Sequence, residues 1–307
     1  MTPSPNTPLF ALRTPRLAVR ANAPFLILSL ALANTATGLA GWIYWRLTGD
    51  ASAISTFFRY PNTWFTLLVC AMEAGLCWVV WRQFESGDSL RSGWFWLTLA
   101  AIAHLAGRTL SPPGSEEIRL AMGGTLRDVG QVLGGPVQMT LLLVGLAKVV
   151  RNCRRLGILG KLTGVDYTML AVTGGFTVRT FHGISQYVAA GKPVTWAIAL
   201  AWTSDPLLLS LLAAAVLIRR SMAKLGCGLI ANCWRSYVAA IVLTSLGAAS
   251  SWCLDCSIRP WWTELGWYVW FISDAAYALA PAFQVAALDR VRTRGDILKA
   301  MEAKGSY

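Results

Sequence analysis

Trp202-Thr-Ser-Asp-Pro-Leu-Leu-Leu-Ser-Leu-Leu-Ala-Ala-Ala-Val-Leu-Ile-Arg-Arg220 sets an acidic residue inside an apolar run that closes on two arginines. A helix needs about 20 apolar residues to cross the hydrocarbon core of a bilayer, and this stretch comes close to that length. A charged side chain at mid-bilayer costs about 2.5–3.5 kcal/mol on insertion scales, so Asp205 demands a partner. Similar wording returns as Trp270-Phe-Ile-Ser-Asp274, an Ala/Leu run and Asp289-Arg290, which predicts an internal repeat.

Composition points the same way. Hydrophobic residues make up 55% of the 307-residue chain and charged residues only 14%, against roughly 25% charged in a soluble domain. The expected fold is therefore all-α, a polytopic transmembrane bundle. The net charge of +12 gathers in short segments between apolar runs, where basic residues act as topology determinants. No nucleic-acid-binding signature accompanies it, so nucleic acid is not an expected partner.

About eight spans are predicted, arranged as four helical hairpins over about 24–82, 93–150, 166–219 and 236–289. Residues 1–23, with Arg13, Arg16 and Arg20 and no acid, form an expected disordered basic leader. The run from Phe25 to Tyr44 outlasts a signal-peptide core of about 7–15 residues and predicts a retained helix. A second span runs from about Trp64 to Trp81, a third over Trp94–Leu110, a fifth over about Tyr167–Val188 and a sixth over Val194–Ile218. Pro206 and Pro281 are candidate breaks. Placing both termini in the cytoplasm puts Lys148, Arg151, Arg154, Arg155, Lys161, Arg219, Arg220 and Lys224 on the inner side, with a cytoplasmic tail at 291–307. That satisfies the positive-inside rule, and the style of the sequence predicts a multi-pass protein of a bacterial-type inner (plasma) membrane. The basic segments also suit anionic lipid headgroups.

Each hairpin carries an acid in its second helix: Glu73, Asp128, Asp205 and Asp274. The first helices of the second and third hairpins supply cations at helical spacing, His104 with Arg108 and Arg179 with His182. Residues four apart lie about 40° apart around a helix and share a face. These eight residues form the predicted buried polar cluster. It is read either as ion-pair glue between helices or as a site for a small polar solute, an ion or a proton.

The functional expectation is a small transporter or permease-like protein. One alternative is a non-enzymatic membrane subunit or sensor module acting through a membrane protein partner. Another is a haem, quinone or pigment protein in which His104 and His182, the only two histidines, act as axial ligands. Enzyme signatures are missing: there is no His-Glu-x-x-His and no Walker-type phosphate loop. No metal site is expected. Cys253-Leu-Asp-Cys256 has the spacing of a local disulfide but lacks the further ligands a zinc site requires.

Overall fold

The computed structural model describes residues 22–50, 52–112, 124–191, 193–194, 196–224, 228–253 and 260–305. Among them every regular element is helical. We number the helices α1 (Ala23–Thr48), α2 (Tyr60–Gln83), α3 (Ser89–Leu110), α4 (Gly124–Val132), α5 (Gln138–Arg155), α6 (Gly164–Ala189), α7 (Trp196–Trp202), α8 (Ser204–Lys224), α9 (Gly228–Cys253) and α10 (Pro260–Gly305). Two wide π-turns interrupt the pattern, Ser55–Arg59 ahead of α2 and Leu133–Val137 between α4 and α5.

Local chemistry sets several of these ends. Gly49 stops α1 at φ 70°, its N–H donating to the Trp45 carbonyl, because a left-handed residue is needed to turn the chain out of the helix. The Asp88 carboxylate caps α3 by accepting from the Leu90 N–H at 2.8 Å, satisfying a donor that has no partner within the helix.

Six helices form a closed ring in the order α2, α3, α5, α8, α9, α10, each packed on the next, with α10 closing back on α2. The ring core joins Trp94, Leu146, Leu212, Trp234, Tyr237 and Tyr277. Helix α1 lies outside the ring against α10 and α2, and α6 lies outside it against α9 and α8. Both peripheral helices expose apolar side chains, Phe25, Leu32 and Leu47 on α1 and Val165, Val178 and Phe181 on α6. Such surfaces suit lipid, and the protein is a multi-pass helical membrane protein.

Among the described residues, six segments are long and apolar enough to cross a membrane: Ala23–Thr48, Thr56–Gln83, Gly124–Arg155, Ser204–Lys224, Gly228–Ser250 and Tyr268–Val291. The other two of the eight expected spans, α3 and α6, are as long but are not among these six; α3 carries His104 and Arg108, and α6 carries Arg179 and His182.

Three details differ from the sequence expectation. The expected sixth span, Val194–Ile218, is two helices, α7 and α8, parted at Thr203. Asp205 consequently stands in the first turn of α8, not in the middle of a span. The cause is local: Asp and Pro in the first turn are helix starters, and Pro206 lacks an N–H only where none is needed. Pro281, the other expected break, sits inside an uninterrupted α10, which continues through the expected tail as far as Gly305. The leader up to residue 21, the loop bearing Glu116 and Glu117, and Cys256 fall outside the described residues.

Candidate functional site

Glu73 on α2, His104 and Arg108 on α3, and Asp274 on α10 meet in the interior. The His104 Nδ1 hydrogen-bonds Glu73 Oε2 at 2.8 Å, and its Nε2 lies 3.2 Å from Asp274 Oδ1. The Arg108 guanidinium donates through Nη2 to the same Asp274 oxygen at 2.9 Å. Glu73, His104 and Asp274 are 4%, 1% and 2% exposed, so water plays little part in balancing these charges. A neutral imidazole has one N–H, whereas both His104 nitrogens face carboxylate oxygens; the arrangement fits an imidazolium donating on both sides.

Neighbouring side chains hold the chain in place. Tyr277 meets the His104 ring edge-on at 6.0 Å between centroids, and the Arg108 guanidinium lies 5.9 Å from the Trp270 ring centre. Ser273, next to Asp274, donates to the Ala240 carbonyl at 2.9 Å and pairs with Thr244 at 2.7 Å, fixing α10 to α9. Within the Glu73–His104–Arg108–Asp274 network, Asp274 Oδ2 and Arg108 Nε are buried without a hydrogen-bond partner among the described residues.

A cavity of about 420 Å³ borders this chain, within the usual range of about 300–1,000 Å³ for small-ligand sites. His104, Arg108 and Asp274 form one wall, and Asp205 with Ser204 and Trp202 another. Gly134 and Gly135 of the π-turn, with Gln131 and Gln138 on its flanks, line a third. The π-turn is seated by close glycine packing. A Cβ on Gly107 would overlap the Gly134 backbone, so α3 and the turn approach at a distance only glycine allows.

Cys70 Sγ, a Glu73 carboxylate oxygen and a His104 nitrogen lie within 4.8 Å of one another, the spacing of a three-ligand metal cluster. The detailed geometry argues otherwise. Cys70 Sγ is 3.9 Å from both ring nitrogens, so it faces neither lone pair, and Nδ1 is already engaged by Glu73. A metal needs that lone pair free and a sulfur at about 2.3 Å from the ion. The residues do not fit one.

Of the eight predicted cluster residues, the structure brings Glu73, His104, Arg108 and Asp274 into contact and adds Asp205 across the cavity. Asp128 is half-buried on α4 and does not line the cavity, and Arg179 is half-buried on α6, also away from it. His182 is exposed and pairs with Gln186 of its own helix at 3.2 Å. Haem ligation by His104 and His182 does not fit this arrangement, because both His104 nitrogens are occupied by carboxylates.

A second charged knot, at the other end of α8, was not foreseen. Asp166 at the start of α6 accepts from Arg220 Nε at 2.9 Å, from Arg220 Nη2 at 3.0 Å and from Arg219 Nη2 at 3.0 Å. The Thr163 N–H and hydroxyl both donate to it at 2.8 Å. Burial works against its charge, but Arg220 and Thr163 outweigh that and hold the carboxyl at about 2. The available signal was Thr163-Gly-Val-Asp166, a capping-box spacing.

Comparison with protein-family models, with curated proteins and with solved structures gives no match.

Proposed function

We propose that the chain is a non-enzymatic permease of an inner (plasma) membrane that moves a small polar solute, with the Glu73–His104–Asp274 chain carrying a proton. One observation carries this reading: two interrupted helices and a buried charged chain face the same cavity. The interruptions are the π-turn at Leu133–Val137 and the break at Thr203. Transporters commonly place discontinuous helices at a mid-membrane site, and π-turns inside helices cluster at functional positions. Intramembrane carboxylates and histidines in contact are the usual parts of a proton relay. Asp274 is the natural junction, since it touches both cations and the cavity.

The test is reconstitution into proteoliposomes holding a pH-sensitive dye, challenged in turn with benzylamine, alanine, lactate and glucose. One solute is expected to move protons with it, and Asp274→Asn to abolish that movement. Vesicles in which no member of the set shifts the internal pH beyond empty controls would overturn the proposal.

A reading as a membrane subunit or sensor module draws on α6, where His182, Ser185 and Gln186 put polar groups on an exposed face that also carries Val178 and Phe181. A partner helix contacting that face is expected to co-purify in fixed stoichiometry and to be lost on His182→Leu with Gln186→Leu.

A further inference from the structure

The cavity wall has a charge imbalance that restricts what it can hold. Among the described residues lining it, the charged side chains are His104, Arg108, Asp205 and Asp274. Behind them Glu73 is engaged with His104. Counting the whole group, three carboxylates face two cations, and one negative charge remains. That surplus sits on Asp205, which makes no hydrogen bond or ion pair with any described residue.

The wall also carries an open acceptor. Asp274 is 98% buried by its 2% exposure, and its Oδ2 has no partner. The one guanidinium on the wall gives Nη2 to Asp274 Oδ1 and so has its charge balanced there, while its Nε stays open as a donor. An entering anion would add to a wall that is already negative, while an entering cation would neutralise it. Aromatic side chains complete the site: Tyr187, Trp202, Trp270 and Tyr277 line the same space, and aromatic rings attract a desolvated cation.

We propose that the cavity binds a small organic monocation, an amine or quaternary ammonium, between Asp205, the open oxygen of Asp274 and the rings of Trp202, Trp270 and Tyr277. The proposal rests on the solute-binding reading above and names the chemical class of the solute. A primary amine donates to Asp274 Oδ2 while its charge balances Asp205; a quaternary ammonium relies on the charge and the rings alone.

The experiment uses the purified full chain in detergent and follows thermal stability and equilibrium binding. The probes are benzylamine, tetraethylammonium, benzyl alcohol and benzoate, of which the first, third and fourth share one ring and differ in charge. At least one cation is expected to bind saturably and raise the Tm by several degrees, with benzyl alcohol and benzoate at least tenfold weaker. Asp205→Asn, which breaks no contact seen in the structure, is expected to fold normally and to weaken the cation at least tenfold. Equal binding of benzyl alcohol, preference for benzoate, or no binding of either cation would each overturn the assignment. Cation binding that Asp205→Asn leaves intact would overturn it too. The same probes in vesicles separate the two proposals. Cations that bind but never cross sink the permease and leave the ligand class standing, whereas transported benzoate does the reverse.

Discussion

His104 and Arg108, one turn apart on α3, close on a single oxygen, Oδ1 of Asp274, at 3.2 and 2.9 Å. One carboxylate on α10 thereby balances two cations on α3, while Glu73 on α2 balances the other side of the imidazole. Three helices of the ring are joined through charge in an interior where each unpaired ion is expensive.

Asp274→Asn should therefore cost far more than a surface change. Removing one partner of a buried ion pair typically destabilises by about 3–5 kcal/mol, because the remaining charge has no compensation. Arg108→Gln combined with Asp274→Asn removes one charge of each sign and is expected to recover more than half of the lost Tm. Thermal melts of the two single variants and the double variant in detergent measure this. A double variant no more stable than Asp274→Asn would show that charge balance is not what the contact provides.

Packing at the π-turn gives a second expectation. Gly107→Ala places a methyl group where the Gly134 backbone runs, whereas Gly75→Ala on α2 meets nothing within 4 Å. Overpacking costs about 1–3 kcal/mol, so Gly107→Ala should lower the Tm clearly and widen the cavity's third wall. Gly75→Ala should be neutral or slightly stabilising, as alanine is the better helix former. Parallel melts decide it; equal Tm values for the two variants would mean that α3 and the turn are not in close contact.

These two variants also mark how far the sequence could be read. Apolar run length and basic punctuation were enough for an all-helical membrane bundle, because both follow from transfer free energy alone. His104 and Arg108 were identifiable as a pair because their spacing guarantees a shared face. Their partners were less accessible. Four acids were candidates; the closure of α10 onto α2 brings Glu73 and Asp274 to His104, whereas Asp128 stays off the cavity although α4 also packs on α3. Arg179 and His182 have the same spacing signature as His104 and Arg108, but α6 lies outside the ring and turns His182 to its surface. Spacing fixes a face; it does not fix which way the face points. The two Ser-Asp pairs look alike in sequence, yet Ser204 starts a helix and Ser273 lies inside one.

Asp166 gives a pH dependence with a definite sign. Its folded value of about 2 lies below the ordinary 3.8, so the stabilisation is complete above about pH 4 and disappears as the pH falls through 2. With Arg219 and Arg220 partly exposed, the contribution is about 1–2 kcal/mol, below the full linkage value. Asp166→Asn should melt lower than the parent between pH 5 and 7, and the gap should close as the pH approaches 2. A gap that stays constant from pH 7 to 2.5 would show that the carboxylate charge does not tie α6 to α8.

The two ends of the bundle give an expectation for its orientation in the membrane. Arg151, Arg154 and Arg155 at the end of α5 are exposed, as are Lys161 and Lys224 beside the Asp166 knot. The positive-inside rule predicts that this end faces the cytoplasm. The opposite end, where α6 finishes at Ala189, is then expected to face outside, and Tyr187 of the cavity lining lies in the last turn of α6 at that end. Leu156 and Ala190 are exposed positions at the two ends, and Cys70, Cys77, Cys153 and Cys233 are buried. In a background with Cys227, Cys253 and Cys256 changed to Ser, a membrane-impermeant maleimide should label Ala190→Cys on intact cells. Leu156→Cys should label only after permeabilisation. The reversed pattern would place the basic end outside and require the cavity to be approached from the cytoplasm.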